Sequence, residues 1–135
     1  MTRQKGSQTP AQLGELESDV MSVVWEKREA TVQDVKDALA PTRPLAYTTV
    51  MTVMSRLAEK GLLNRYKEGR AYVYTPADSQ EKVAGSLLRS LVRRLYDGAA
   101  AAAIAHLLEA EAELDEAELD RLENLIRAKR EEQQK

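Results

Sequence analysis

Tyr47-Thr-Thr-Val-Met-Thr-Val-Met-Ser-Arg-Leu-Ala-Glu-Lys-Gly-Leu62 is the stretch on which the reading of this chain turns. Val50, Val53, Met54 and Leu57 recur at helical spacing, so the segment predicts a helix from about Ala46 to Lys60 with one buried stripe. Its other face carries Thr48, Thr49, Thr52, Ser55, Arg56 and Glu59, and Gly61 suits a helix end. Downstream the period changes. Leu62–Tyr66 and Ala71–Thr75 are β-prone runs around Lys67-Glu68-Gly69-Arg70, which predicts a hairpin with a four-residue turn, closed by Pro76.

Upstream, Leu13, Leu16, Val20 and Val24, widened by Met21 and Trp25, predict a first helix ending near Lys27–Arg28. Thr31 as N-cap with Asp34 three residues on, followed by Val32, Val35 and Leu39, predicts a short second helix that Pro41 and Pro44 stop. Three helices and a hairpin, with a polar outer face on the third helix, is the layout of a winged helix-turn-helix. There the third helix enters the DNA major groove and the wing lies along the backbone.

The rest of the chain reads as helical. Val83, Leu87, Leu88, Leu91, Val92 and Leu95 stripe a helix from about Ser79 to Tyr96, broken at Asp97-Gly98. A second helix runs over Ala99–Leu108, and a third begins near Asp115 with Leu119, Leu122, Leu125 and Ile126 on one face. A segment this small closes poorly around a core of its own, so burial against a second copy is expected. The expected organisation is a mainly α chain: a flexible arm over 1–12, a winged-helix DNA-binding domain over 13–77, and a three-helix dimerisation domain over 78–135. The dimer contacts fall to Leu87, Leu88, Leu91, Leu95, Ile104, Leu108, Leu122 and Leu125.

Charge follows the same division. The net charge of −2 over 135 residues hides 11 basic against 9 acidic residues in 1–77, and 9 against 13 in 78–135. Arg43, Arg56, Lys60, Arg65, Lys67 and Arg70 face only Glu59 and Glu68 as acids within Arg43–Arg70, whereas Glu109–Glu123 holds eight acids and one base. One part is suited to a polyanion and the other is not. Short hydroxyls at Thr48, Thr49 and Thr52 can reach phosphates or base edges, and Arg56 can bond a guanine edge or a phosphate. Arg65, Lys67 and Arg70, with Lys60 behind them, flank the turn where Gly69 lets backbone approach closely. Thr48 also suits a plain N-cap, and Tyr72 and Tyr74 suit packing more than base stacking.

With no Cys there is no disulfide, thiolate metal site or cysteine nucleophile, and a single His with no carboxylate pair in a cleft argues against an enzyme. No cofactor or metal is expected. The longest apolar run, 98–105, is far short of the roughly 20 residues a membrane helix needs, so no membrane partner is expected and the cytoplasm is the expected location. A winged head without specific DNA binding, serving as a protein-interaction adaptor, is the alternative reading.

Leu13–Trp25, Tyr47–Leu62 and Gly69-Arg-Ala-Tyr-Val-Tyr-Thr-Pro76 together resemble the penicillinase repressor family, the BlaI/MecI/CopY group, from about Leu13 to Leu125. The resemblance implies a homodimeric repressor on a dyad-symmetric operator, controlling β-lactam resistance or related genes. It also implies Tyr47, Thr48, Thr49, Thr52 and Arg56 as recognition-helix contacts, with wing contacts around Lys67 and Arg70. Copper-responsive members use C-terminal cysteines, and this chain has none. In β-lactam-responsive members an inactivating metalloprotease and sensor system cuts an Asn-Phe bond. The corresponding stretch near Ala105-His-Leu-Leu108 lacks Asn and the chain lacks Phe, so either another bond such as that beside His106-Leu107 is cut, or induction proceeds differently. His106 is expected to be a packed core residue.

Overall fold

A computed structural model describes residues 13–110 and 113–135; the arm expected over 1–12 lies outside the described residues. The elements are α1 (Glu15–Lys27), α2 (Val32–Leu39), α3 (Tyr47–Glu59), β1 (Leu63–Glu68), β2 (Ala71–Pro76), α4 (Gln80–Leu95), α5 (Ala100–Ala110) and α6 (Glu116–Gln133). The chain is mainly helical, with one antiparallel hairpin among the described residues, as the sequence leads one to expect.

Local chemistry sets the helix ends. Thr31 and Asp34 exchange hydrogen bonds with each other's backbone N–H at 3.1 and 3.0 Å, and Asp115 and Glu118 do the same at 2.8 and 3.1 Å. Ser79 accepts from the N–H of Lys82. Two orphan donors are thereby satisfied at the start of α2 and two at the start of α6.

The core lies between α1, α2, α3 and the hairpin. Val20, Met21, Val24, Val35, Val50, Met54, Leu57, Leu63 and Tyr74 are all below 2% exposed. Each contributes roughly 1.5–3 kcal/mol of burial. The α1–α2 loop is tied to the wing, since Ala30 and Tyr74 exchange both backbone hydrogen bonds at 2.8 and 3.0 Å. The hairpin turn is tighter than the sequence suggests. Glu68 pairs with Ala71, so the turn is Gly69-Arg70 alone. Gly69 has φ +67° in otherwise open space, so it is required by backbone conformation and not by crowding.

The boundary near residue 77 is not a free joint. The Trp25 indole N–H donates to the Asp78 carbonyl at 3.0 Å, Val83 is buried in the head's core, and Leu87 packs against that core. Leu87, expected at a dimer contact, is thus used at least in part within its own chain. Beyond it the apolar side chains find little cover. Leu88, Leu91, Leu95, Ile104, Leu108 and Leu125 are exposed, Leu95 by 69%, together with Leu107, Leu119 and Ile126; Leu122 is half-buried.

His106 corrects its sequence reading. It is exposed, and its Nδ1 lies 3.0 Å from the Tyr96 hydroxyl across the Asp97-Gly98 break. The bend at positive φ in both break residues turns α5 back so that this polar pair meets at the surface.

Candidate nucleic-acid interface

Helix α3 buries Val50, Val53, Met54 and Leu57 and leaves two adjacent stripes outside the core. Thr48, Thr52 and Arg56 form one, each four residues from the next and each exposed; Thr49 is exposed beside them. Tyr47, Met51 and Ser55 form the other, and it faces the wing. The N-cap of α3 is Ala46, with no side-chain cap. The capping reading of Thr48 therefore falls away, because Thr48 lies inside the helix and its hydroxyl caps nothing. The Thr52 hydroxyl donates to the Thr48 carbonyl at 2.9 Å, which fixes its rotamer and leaves its oxygen as an acceptor.

Between α3 and the wing runs an open groove of about 320 Å³. The stripe of Tyr47, Met51 and Ser55 forms one wall, and Arg65, Arg70 and Tyr72 form the other; Thr31 and Gln33 close it from the start of α2. Arg65, Lys67, Tyr72 and Tyr74 share one face of the hairpin through the pairs Arg65–Tyr74 and Lys67–Tyr72. The Tyr72 ring carries the Arg65 guanidinium 4.6 Å from its centroid and the Lys67 ammonium at 5.8 Å. Arg65 also donates to the Tyr74 hydroxyl at 3.3 Å, a bond that raises its pKa further above the ordinary arginine value and keeps it charged. Tyr74 is a packed residue as expected, while Tyr72 is exposed and serves as the platform for two cations.

The structure separates the six basic residues of this region. Arg56, Arg65, Lys67 and Arg70 are exposed, and none of them has a carboxylate partner among the described residues. Lys60 is engaged by α1: its ammonium is 2.6 Å from Glu17. Arg43 lies 3.5 and 3.4 Å from Glu15 and Asp19. Burial alone would push the Glu17 carboxyl up, but hydrogen bonds from Lys60 and from the Gly14 N–H, with the charges of Lys60 and Arg56, hold it below its usual value. Two of the six cations thus serve the packing of α1, leaving a smaller and more focused basic surface.

Met51 escaped the sequence reading, as did Thr31, Gln33 and the exposed role of Tyr72. For Met51 a signal existed: it lies outside the buried stripe and one turn from Tyr47. For Thr31 and Gln33 none did, since their place in the groove follows from how α2 packs across α3. Among the described residues no cluster of His, Asp and Glu could hold a metal, and no helix is long and apolar enough to cross a membrane.

The sequence matches those of known proteins. The penicillinase repressor family model covers residues 13–128. The chain belongs to the penicillinase repressor family. It is similar to the transcriptional regulator BlaI of Mycobacterium tuberculosis, 41% identical over 99 residues that cover 72% of each chain. It is also similar to the penicillinase repressor of Bacillus licheniformis, 32% identical over 98 residues, covering 73% of this chain and 77% of the relative. Among solved structures, that of the Bacillus licheniformis BlaI monomeric form in complex with the blaP half-operator is 35% identical, with a TM-score of 0.47. It covers 55% of this chain and 89% of its own. Members of the family are transcriptional repressors and not enzymes, and the chain is a DNA-binding winged-helix protein of that kind.

Proposed function

We propose that the chain is a sequence-specific repressor in the cytoplasm that occupies a dyad-symmetric operator as a homodimer and blocks polymerase sterically. The observation that carries this is the groove between α3 and the wing: hydroxyl and apolar groups on the helix wall, and on the other the guanidinium groups of Arg65 and Arg70, which have no carboxylate partner among the described residues. Phosphates anchored by Arg65, Lys67 and Arg70 would fix the register of α3, whose Thr48, Thr49, Thr52 and Arg56 then meet base edges or the flanking backbone.

Dimerisation rests on the exposed leucines and isoleucines of α4, α5 and α6, a surface that a second copy can bury. A single head makes too few contacts to hold the site, so loss of the dimer relieves repression. Cleavage of the dimerisation region by a protease is one route to that loss, and genes of β-lactam resistance are the class of target the family suggests. The candidate bonds near His106-Leu107 lie within α5, so cutting there requires local unwinding first.

A mobility shift with labelled dyad DNA and excess random competitor tests the reading. A discrete complex that survives competitor is expected. A complex that competitor removes in proportion to its mass contradicts the reading and favours the adaptor.

A further inference from the structure

Tyr47 and Met51 are left 46% and 41% exposed on the α3 wall of the groove, beside Ser55 and across from Arg65, Arg70 and Tyr72. They stand one helical turn apart on α3, and both line the groove that opens toward the wing. Neither joins the hydrophobic core, whose α3 members are Val50, Val53, Met54 and Leu57. The Met51 side chain has neither a charge nor a hydrogen-bond donor with which to hold a phosphate, whereas the Tyr47 hydroxyl has one. In the major groove the apolar group on a base edge is the 5-methyl of thymine.

We propose that Met51 is a specificity-determining residue that reads a thymine 5-methyl group in each operator half-site, with the Tyr47 ring as the adjoining apolar wall. This rests on the operator reading above. The thioether suits the task because it is unbranched and polarizable, and it adapts to a methyl group whose position shifts with local DNA shape. The Tyr47–Met51 stripe faces Tyr72 and the arginines of the opposite wall, so it lies nearer the wing than the Thr48–Arg56 stripe.

The test uses the full chain. Sites are enriched from random DNA, and each thymine of a recovered half-site is replaced singly by deoxyuridine, which deletes only the methyl group. The expected result is one position at which the wild type binds the uracil probe about fourfold more weakly, the factor for one buried methyl-sized group. Met51→Ala should bind the thymine probe at the weakened level and no longer distinguish the two, while Met51→Leu retains the difference. Because Met51 is exposed and alanine favours helix, thermal melting of Met51→Ala should match the wild type. A Met51→Ala protein whose thymine-to-uracil ratio equals that of the wild type overturns the proposal alone. Failure of the wild type to enrich any DNA overturns the operator reading and this proposal with it.

Discussion

The head, α1 through β2, and the tail, α4 through α6, are written in similar periodic stripes, yet the stripes end differently. In the head, valines, leucines and methionines from three helices converge with Leu63 and Tyr74 of the wing, and every member of the set is nearly inaccessible. Among the described residues of the tail only Val83 and Ala103 are buried, and Leu88, Leu91, Leu95, Ile104, Leu107, Leu108, Leu125 and Ile126 stand open. A stripe tells which face of a helix is apolar; it does not tell whether the partner is in the same chain. The head answers its stripes largely within itself, with Val83 and Leu87 of α4 added, and the tail leaves most of its own exposed, which is what the proposed dimer would bury.

The strongest way to break that comparison is Leu91→Asp, at a side chain 41% exposed in the single chain. It should abolish the dimer at micromolar concentration, leave the head's circular dichroism intact, and weaken dyad binding by roughly 100-fold or more as avidity is lost. Sedimentation that still shows a dimer would count against the interface. Leu57→Ala acts on the other side of the comparison. Leu57 is fully buried, so it should lose about 2–5 kcal/mol of head stability at any protein concentration. A melt of Leu57→Ala that instead depends on concentration alone would mean the head is not self-sufficient.

Smaller effects sharpen the account. Arg56→Ala should cost about 1–3 kcal/mol of DNA binding with no change in melting temperature. If operator and random DNA weaken equally, Arg56 is a phosphate contact; if only operator binding falls, it reads a base. The Glu17–Lys60 pair is the smallest. Its geometry is close, but both side chains keep solvent contact, so Glu17→Gln should cost below about 1 kcal/mol. Glu17 has a folded-state pKa below the 4.5 of the free group, so its contribution is full above that pH and is lost as pH falls through the folded value. Stability against acid, compared between wild type and Glu17→Gln, should converge only below about pH 4.5.

Most of the head was legible because its signals are local: the stripe of α3, the Thr31–Asp34 reciprocal cap and the change of period at Leu62 each act within a few residues. What was not legible depends on tertiary neighbours. Lys60 looks like part of a basic set in sequence, and only the packing of α1 beside α3 delivers it to Glu17. Leu87 has the spacing of a dimer residue, yet α4 begins by docking on the head. His106 looks apolar by its alanine and leucine neighbours, but the bend at Asp97-Gly98 brings it to Tyr96. The hairpin was recognised but not its length, since a glycine in a tight turn fits a two-residue connection as well as a four-residue one.

In the proposed repressor, two heads joined through their tails share one operator. The salt dependence of binding, measured on a full dyad and on a half-site, tests it most directly. If each head neutralises roughly four to six phosphates, the log–log slope should be about −7 to −11 on the dyad and about half that on the half-site. Equal slopes on the two probes, or a dyad slope of about −2, would contradict it.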